Sequence, residues 1–200
     1  MTVCRAVFAR FGYAGTTTAM LAEAAGISKA LVFHHFGSKK ELYLSILADC
    51  VQLARERLSL QVLPQGLDFF AAMLEFARLK IAFFRDNPDV YRLIMEAAHS
   101  PSAEVAGEIA VQYPEMQSWK GTGWMAWFDR VPLRQGIDRQ HAFELITMII
   151  THHAQAFLQD VADMAEFTAA DEEQALARLQ LFLGMIRWGI VQKEEVDERN

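Results

Sequence analysis

The stretch Thr16-Thr17-Thr18-Ala19-Met20-Leu21-Ala22-Glu23-Ala24-Ala25-Gly26-Ile27-Ser28-Lys29-Ala30-Leu31-Val32-Phe33-His34-His35-Phe36-Gly37-Ser38 decides how this chain folds. A threonine at its start caps a helix, and Gly26 supplies the left-handed residue that ends it about two turns later. Ile27 packs into the corner, Ser28 caps a second short helix, and Gly37 breaks that one after Phe36. Ser38 with Glu41 three residues later forms a capping-box pattern, and the helix it opens runs through Leu42, Ile46, Leu53 and Leu58. The result is a helix, a tight glycine turn and a short second helix, the helix-turn-helix arrangement.

Charge is arranged to suit that motif. Residues 1–50 hold five basic groups (Arg5, Arg10, Lys29, Lys39, Lys40) against three acids, a net of +2, while the whole chain carries −6. The remainder therefore carries −8, so only the N-terminal part has the polarity to meet phosphate. Glycine turns between short helices also occur in ordinary bundles, where Leu21, Ile27 and Phe36 are core and His34 and His35 are solvated surface.

Beyond residue 50 the pattern stays helical, with glycine or proline breaks and no alternating strand signal. The expectation is an all-α fold of about nine helices: a helix-turn-helix DNA-binding domain over 1–45 and a helical ligand-binding and dimerisation domain over 46–200. At 52% apolar and 22% charged residues, with no run long enough to span a bilayer, the chain reads as a cytoplasmic protein without a membrane partner. Residues 1–22 carry Arg5 and Arg10 and no acid, as transit peptides do, but Arg10 interrupts the apolar run a secretory signal needs. Cys4 and Cys50 lie far apart with no zinc spacing, which fits a reducing compartment.

The region from Asp138 to Met164 is apolar on most faces, and the last helix repeats Leu176, Leu179, Leu183, Ile186 and Ile190 at spacings of three and four. A helix apolar nearly all round is buried on more than one side. A partner subunit is the expected second side, through Phe143, Ile150, Phe157, Leu179, Leu183, Ile186 and Ile190; a fully internal core is the alternative. Met116, Trp119, Trp124, Trp127 and Phe128 form an aromatic and methionine cluster that suits an apolar or aromatic small-molecule effector. Thr151, His152 and Gln155, with Glu144, supply polar groups to orient it, although ordinary packing uses the same residue types.

Enzyme chemistry finds little support. Glu96-Ala97-Ala98-His99 has the spacing of a di-iron bundle ligand pair, but no second copy exists, and adjacent His152 and His153 point about 100° apart on a helix. No catalytic set, metal site or cofactor is expected.

Over Ala6–Leu42 the chain resembles the tetracycline-repressor (TetR) family of bacterial regulators. The likeness rests on Phe11-Gly12-Tyr13, Thr16-Thr17, Leu21-Ala22, Ala25-Gly26-Ile27-Ser28, Phe33-His34-His35-Phe36, Ser38-Lys39 and Leu42. The rest matches only in style, as in Asn87-Pro88-Asp89-Val90-Tyr91-Arg92-Leu93.

The resemblance implies a homodimer on double-stranded DNA, with divergent bodies for different effectors. It implies Thr17 and Thr18 at the DNA backbone, and Lys29, Ala30, Leu31 and His34 at base edges or phosphates, on a helix opened by Ser28. It also implies His35 and Lys39 at phosphates. Phe33 stands where many relatives have tyrosine, removing a hydroxyl contact, and Ala19 replaces a longer polar residue. The basic lead-in common before the first helix is missing, which implies a later start than usual or a modest DNA affinity. Repression of a palindromic operator, relieved by the effector, is the expected regulation. Activation and co-repression are the alternatives, with a metal-binding bundle enzyme behind them.

Overall fold

The computed structural model describes residues 1–114, 123–160 and 167–191, with backbone alone for residues 33, 62 and 154–160. Ten α-helices occur among them: α1 (Thr2–Gly15), α2 (Thr18–Ala25), α3 (Lys29–Phe36), α4 (Lys39–Arg57), α5 (Phe69–Asp86), α6 (Pro88–His99), α7 (Ala103–Gln112), α8 (Trp124–Phe128), α9 (Arg139–Asp160) and α10 (Ala169–Ile190). A 3₁₀ turn covers Leu60–Val62. The only extended pairing among the described residues is an isolated bridge between Leu133 and Val191. The all-α class is as expected. The five-residue α8, squeezed between Gly123 and the Pro132–Gly136 turn, is the kind of single-turn element that break spacing undercounts.

The chain divides into two compact units, Met1–Ser59 with Ala82–Ser118, and Leu60–Ile81 with Trp119–Asn200. In the first, α1 lies against α2, α4 and α6, and α4 lies against α6 and α7. Its core is Phe8, Tyr13, Leu21, Leu42, Tyr43 and Leu47, all essentially sealed from solvent. Phe8 and Tyr13 each meet the Tyr43 ring edge-on, at 5.2 and 5.1 Å between centroids, a favourable aromatic geometry. Leu21 is core as expected, while Ile27 and Phe36 are half-buried.

The second unit is built on α9 packed against α10. Ala142, Ile146 and Ile150 of α9 meet Leu179, Leu183, Ile186 and Ile190 of α10 in one apolar cluster with Phe69, Phe70, Trp124 and Phe128. Thr168 and Asp171 close a reciprocal capping box at the start of α10. Arg134 holds its end, donating from Nη2 to the Trp188 carbonyl (2.7 Å) and from Nε to the Val191 carbonyl (3.1 Å).

Candidate nucleic-acid interface

The helix-turn-helix is set by three caps. Thr17 Oγ1 accepts from the Met20 N–H (3.3 Å), Ser28 Oγ from the Leu31 N–H (3.2 Å) and Ser38 Oγ from the Glu41 N–H (3.1 Å). Each satisfies a backbone donor that the helix start leaves free, worth about 1 kcal/mol. Gly26 ends α2 in the left-handed region (φ 66°, ψ 27°), a conformation that a side chain would strain. The corner between α2 and α3 is therefore fixed by residues within it. The box at Ser38 is one-sided: the Glu41 carboxylate lies against Gly37, where a Cβ would collide with it.

Those caps aim α3 outward. Val32 is buried and anchors it, while Lys29, Ala30, Leu31, His34 and His35 are exposed. At 100° per residue, Ala30, Leu31, His34 and His35 share one solvent face with Lys29 at its flank. Thr17 and Ser28 are exposed and Thr18 is half-buried. Thr17, Ser28 and α3 thus present one continuous stretch of the expected DNA-contacting residues. The side chain of Phe33 lies outside the described residues.

Lys39 has a different setting from the phosphate contact that the sequence suggests. Its ammonium donates to the Tyr13 carbonyl (3.0 Å) and the Thr16 carbonyl (3.2 Å), and sits 4.1 Å from the centre of the Tyr13 ring. It stitches the end of α1 to the start of α4. Lys40 is paired with Glu108 of α7.

The segment that Lys39 holds is itself unusual. Gly12 leaves the helical region within α1 (φ 68°, ψ 173°), and the freed Tyr13 N–H donates to Glu96 Oε1 of α6 at 2.8 Å. Tyr13 Oη donates to Glu104 Oε2 of α7 at 2.7 Å, and Thr16 Oγ1 donates to the Gly12 carbonyl at 2.7 Å. Burial first, then the bond to Glu104, push the Tyr13 phenol up to about 12. The Glu96 of the supposed metal pair is thus a helix-break acceptor. Sequence reading missed Glu96 and Glu104, which lie 83 and 91 residues from Tyr13; only the Gly12-Tyr13 dipeptide hinted that something special occurs there.

In the second unit, the expected pocket residues separate. Trp124 and Phe128 are buried, and half-buried Trp127 stacks on Trp124 at 5.7 Å. Phe69, Phe76 and Phe143 complete this aromatic group. Thr151 and His152 are exposed on the face of α9 opposite Ile146 and Ile150, as is Glu144. Met116 and Trp119 lie outside the described residues, as do the side chains of Gln155 and Phe157.

The residues expected to face a partner subunit are largely this chain's own core. Ile150, Leu179, Leu183, Ile186 and Ile190 are buried within the second unit, and Phe143 is half-buried against them. The reason is that α9 and α10 are each apolar on two opposite faces, and these residues form the faces that meet each other. The outward faces keep Leu145 (41% exposed) and Met148 (62%) on α9, and Leu181 (58%), Met185 (61%) and Trp188 (69%) on α10.

Comparison with known proteins agrees with the helix-turn-helix geometry. Residues 2–46 match the family model described as bacterial regulatory proteins, tetR family. The chain is 29% identical over 169 residues to the HTH-type transcriptional regulator RutR of Escherichia coli K12, covering 82% of this chain and 76% of that protein. It is 48% identical over 42 residues to the HTH-type transcriptional repressor AcnR of Corynebacterium efficiens, 21% of this chain and 22% of that one.

Two crystal structures share the fold along nearly the whole length. A TetR family regulator from Chloroflexus aurantiacus superposes with a TM-score of 0.69 at 17% identity, covering 96% of this chain and 91% of that one. PfmR from Thermus thermophilus gives 0.59 at 22% identity, covering 91% and 95%. With an exposed reading helix on a glycine-turned, triply capped head, and regulators of one kind among its relatives, this chain belongs to the TetR family of transcriptional regulators, which are not enzymes.

Proposed function

We propose that the chain is a dimeric repressor that holds a palindromic operator through α3 of each copy and is released by a small effector with an apolar or aromatic body. The observation that carries the DNA-reading part is the solvent face of α3, where Lys29, Leu31, His34 and His35 are all exposed beside the capped Ser28. Lys29 and His34 offer hydrogen-bond donors to base edges in the major groove, and the exposed Leu31 offers an apolar surface to a thymine methyl. Thr17, Thr18 and His35 flank these at the backbone, where contacts fix register. In this reading residues 1–45 bind DNA and residues 46–200 bind the effector and the second copy. The repressor assignment is supported by the name AcnR carries.

The outward faces of α9 and α10 supply the dimer contact. Leu181, Met185 and Trp188 lie at i, i+4 and i+7, one stripe of a helix, and large exposed apolar stripes mark interaction surfaces. Two copies then present two α3 helices to half-sites about one DNA turn, roughly 34 Å, apart.

Selection of retained duplexes, followed by fluorescence anisotropy, tests the reading. The expected result is preference for a palindrome, with His34→Ala costing about 1–3 kcal/mol of discrimination where a good base contact is lost. A protein that binds every duplex equally overturns it.

A further inference from the structure

Helix α5 carries a cation where its neighbours are apolar. Counting back from Lys80, Ala77, Phe76, Met73 and Phe69 fall at i−3, i−4, i−7 and i−11, so all five share one face. Phe69 and Met73 are buried, and Phe69 and Phe76 hold Trp124 edge-on at 5.9 and 5.5 Å. The charged pair of Glu75 and Arg78, 3.6 Å apart, marks the opposite, solvent-facing side. Lys80 has no hydrogen bond or ion pair among the described residues.

Its surroundings point to a concave wall. The Lys80 side chain keeps part of its surface, yet protein surrounds it densely enough that burial pulls its pKa below the ordinary lysine value. A group both enclosed by protein and still reachable lines an inlet. A lysine at a helix end can extend its ammonium to bulk water along the surface, but Lys80 is the twelfth of eighteen residues in α5. An unpaired ammonium held among aromatic rings destabilises the empty protein, and a counter-charge delivered by a ligand removes that cost.

We propose that Lys80 is the anion-binding point of the effector site, and that the effector is a carboxylate whose apolar or aromatic body lies along the face made by Phe76, Met73 and Phe69. This rests on the ligand-responsive reading above and narrows it to a chemical class. The ammonium pairs with the carboxylate, and the rings beyond it take the apolar body.

The test uses 4-phenylbutyrate, 2-naphthoate and decanoate, each beside its primary amide, titrated calorimetrically into the full-length protein. For at least one pair, the acid should bind about tenfold or more tightly than the amide, the size of effect expected for one charge-assisted contact. Lys80→Met should erase that preference while leaving amide binding intact, and Lys80→Arg should retain it. Lys80→Met should also melt no lower than wild type, because it removes the unpaired charge and keeps the side-chain length. No acid binding, equal binding of every acid and amide, or a preference that survives Lys80→Met each overturns the assignment.

Operator binding on the same preparations separates the two readings. Retained DNA binding with no acid preference removes Lys80 alone. An acid preference in a protein that ignores palindromes removes the regulator and leaves the anion site.

Discussion

The two units are held together by different means. In the first, the end of α1 is pinned by directed polar contacts: Tyr13 N–H to Glu96, Tyr13 Oη to Glu104, and Lys39 to two carbonyl oxygens. In the second, the buried residues are almost purely aliphatic and aromatic, and the polar ties lie at helix ends. Hydrogen bonds fix angles, whereas apolar burial fixes only which surfaces are covered. A helix that must reach a groove at one orientation needs the former. A body whose relatives diverge can be repacked around any core of the right volume.

The sharpest break between the units comes from two substitutions on α10. Leu183 is 3% exposed and Trp188 is 69% exposed on the opposite face. Leu183→Glu should unfold the second unit, at a cost of about 3–5 kcal/mol or more, because it both empties the core and buries a charge. Trp188→Glu should leave melting nearly unchanged and convert the dimer to monomer in light scattering. If Trp188→Glu stays dimeric, the dimer face lies elsewhere.

Gly12 probes the polar unit next. A Cβ there stands 3.0 Å from Glu96 Oε1 and must adopt a glycine-only backbone conformation. Gly12→Ala should therefore cost about 1–3 kcal/mol, read by thermal melting, and weaken DNA binding with it. An unchanged melt would mean that α1 straightens without penalty.

Lys39→Met follows at about 1–2 kcal/mol, since it removes two charge-assisted bonds to carbonyl oxygens that have other partial satisfaction. Its DNA affinity should fall in proportion to lost stability. A lower salt slope at unchanged melting temperature would instead make Lys39 a phosphate contact.

The smallest effect is a pH slope in the second unit. His153 Nε2–H donates to the Ala175 carbonyl at 3.0 Å, and burial lowers its pKa below the usual 6.5, with Arg178 and His152 adding repulsion. The unfolded chain then takes up a proton before the folded one does. Stability should be full above about pH 6.5, fall as pH drops through that value, and level off below the folded pKa. Melting curves of His153→Gln should lack the slope; an identical slope in the variant would assign it to other groups.

How much of this was legible in the sequence follows from the same contrast. The helix-turn-helix is written locally, since Thr17, Gly26, Ser28 and Ser38 act on donors within three residues of themselves. The clamp on Tyr13 is not, because its carboxylates arrive from α6 and α7. On α10, Leu176-Leu179-Leu183-Ile186-Ile190 and Leu181-Met185-Trp188 both have helical spacing, so periodicity alone cannot say which stripe meets α9. The aliphatic stripe was assigned to a partner, and packing against Ile146 and Ile150 made it internal. Lys80 escaped notice because one cation on a charged, amphipathic helix reads as surface until the fold shows which side it occupies.

Cys4 and Cys50 carry a practical consequence. Both thiols are free and buried, one on α1 and one on α4, and burial pushes Cys4 up and Cys50 up to about 11. At pH 7 only about one Cys50 in ten thousand is thiolate, and the thiolate is the form that reacts. A disulfide reagent added to the native protein therefore waits for the helices to part, and its labelling rate clocks how often they do. The chain has no other cysteines, so this breathing can be timed without introducing a probe, and slower labelling on operator DNA would register how firmly the duplex closes the helices that read it.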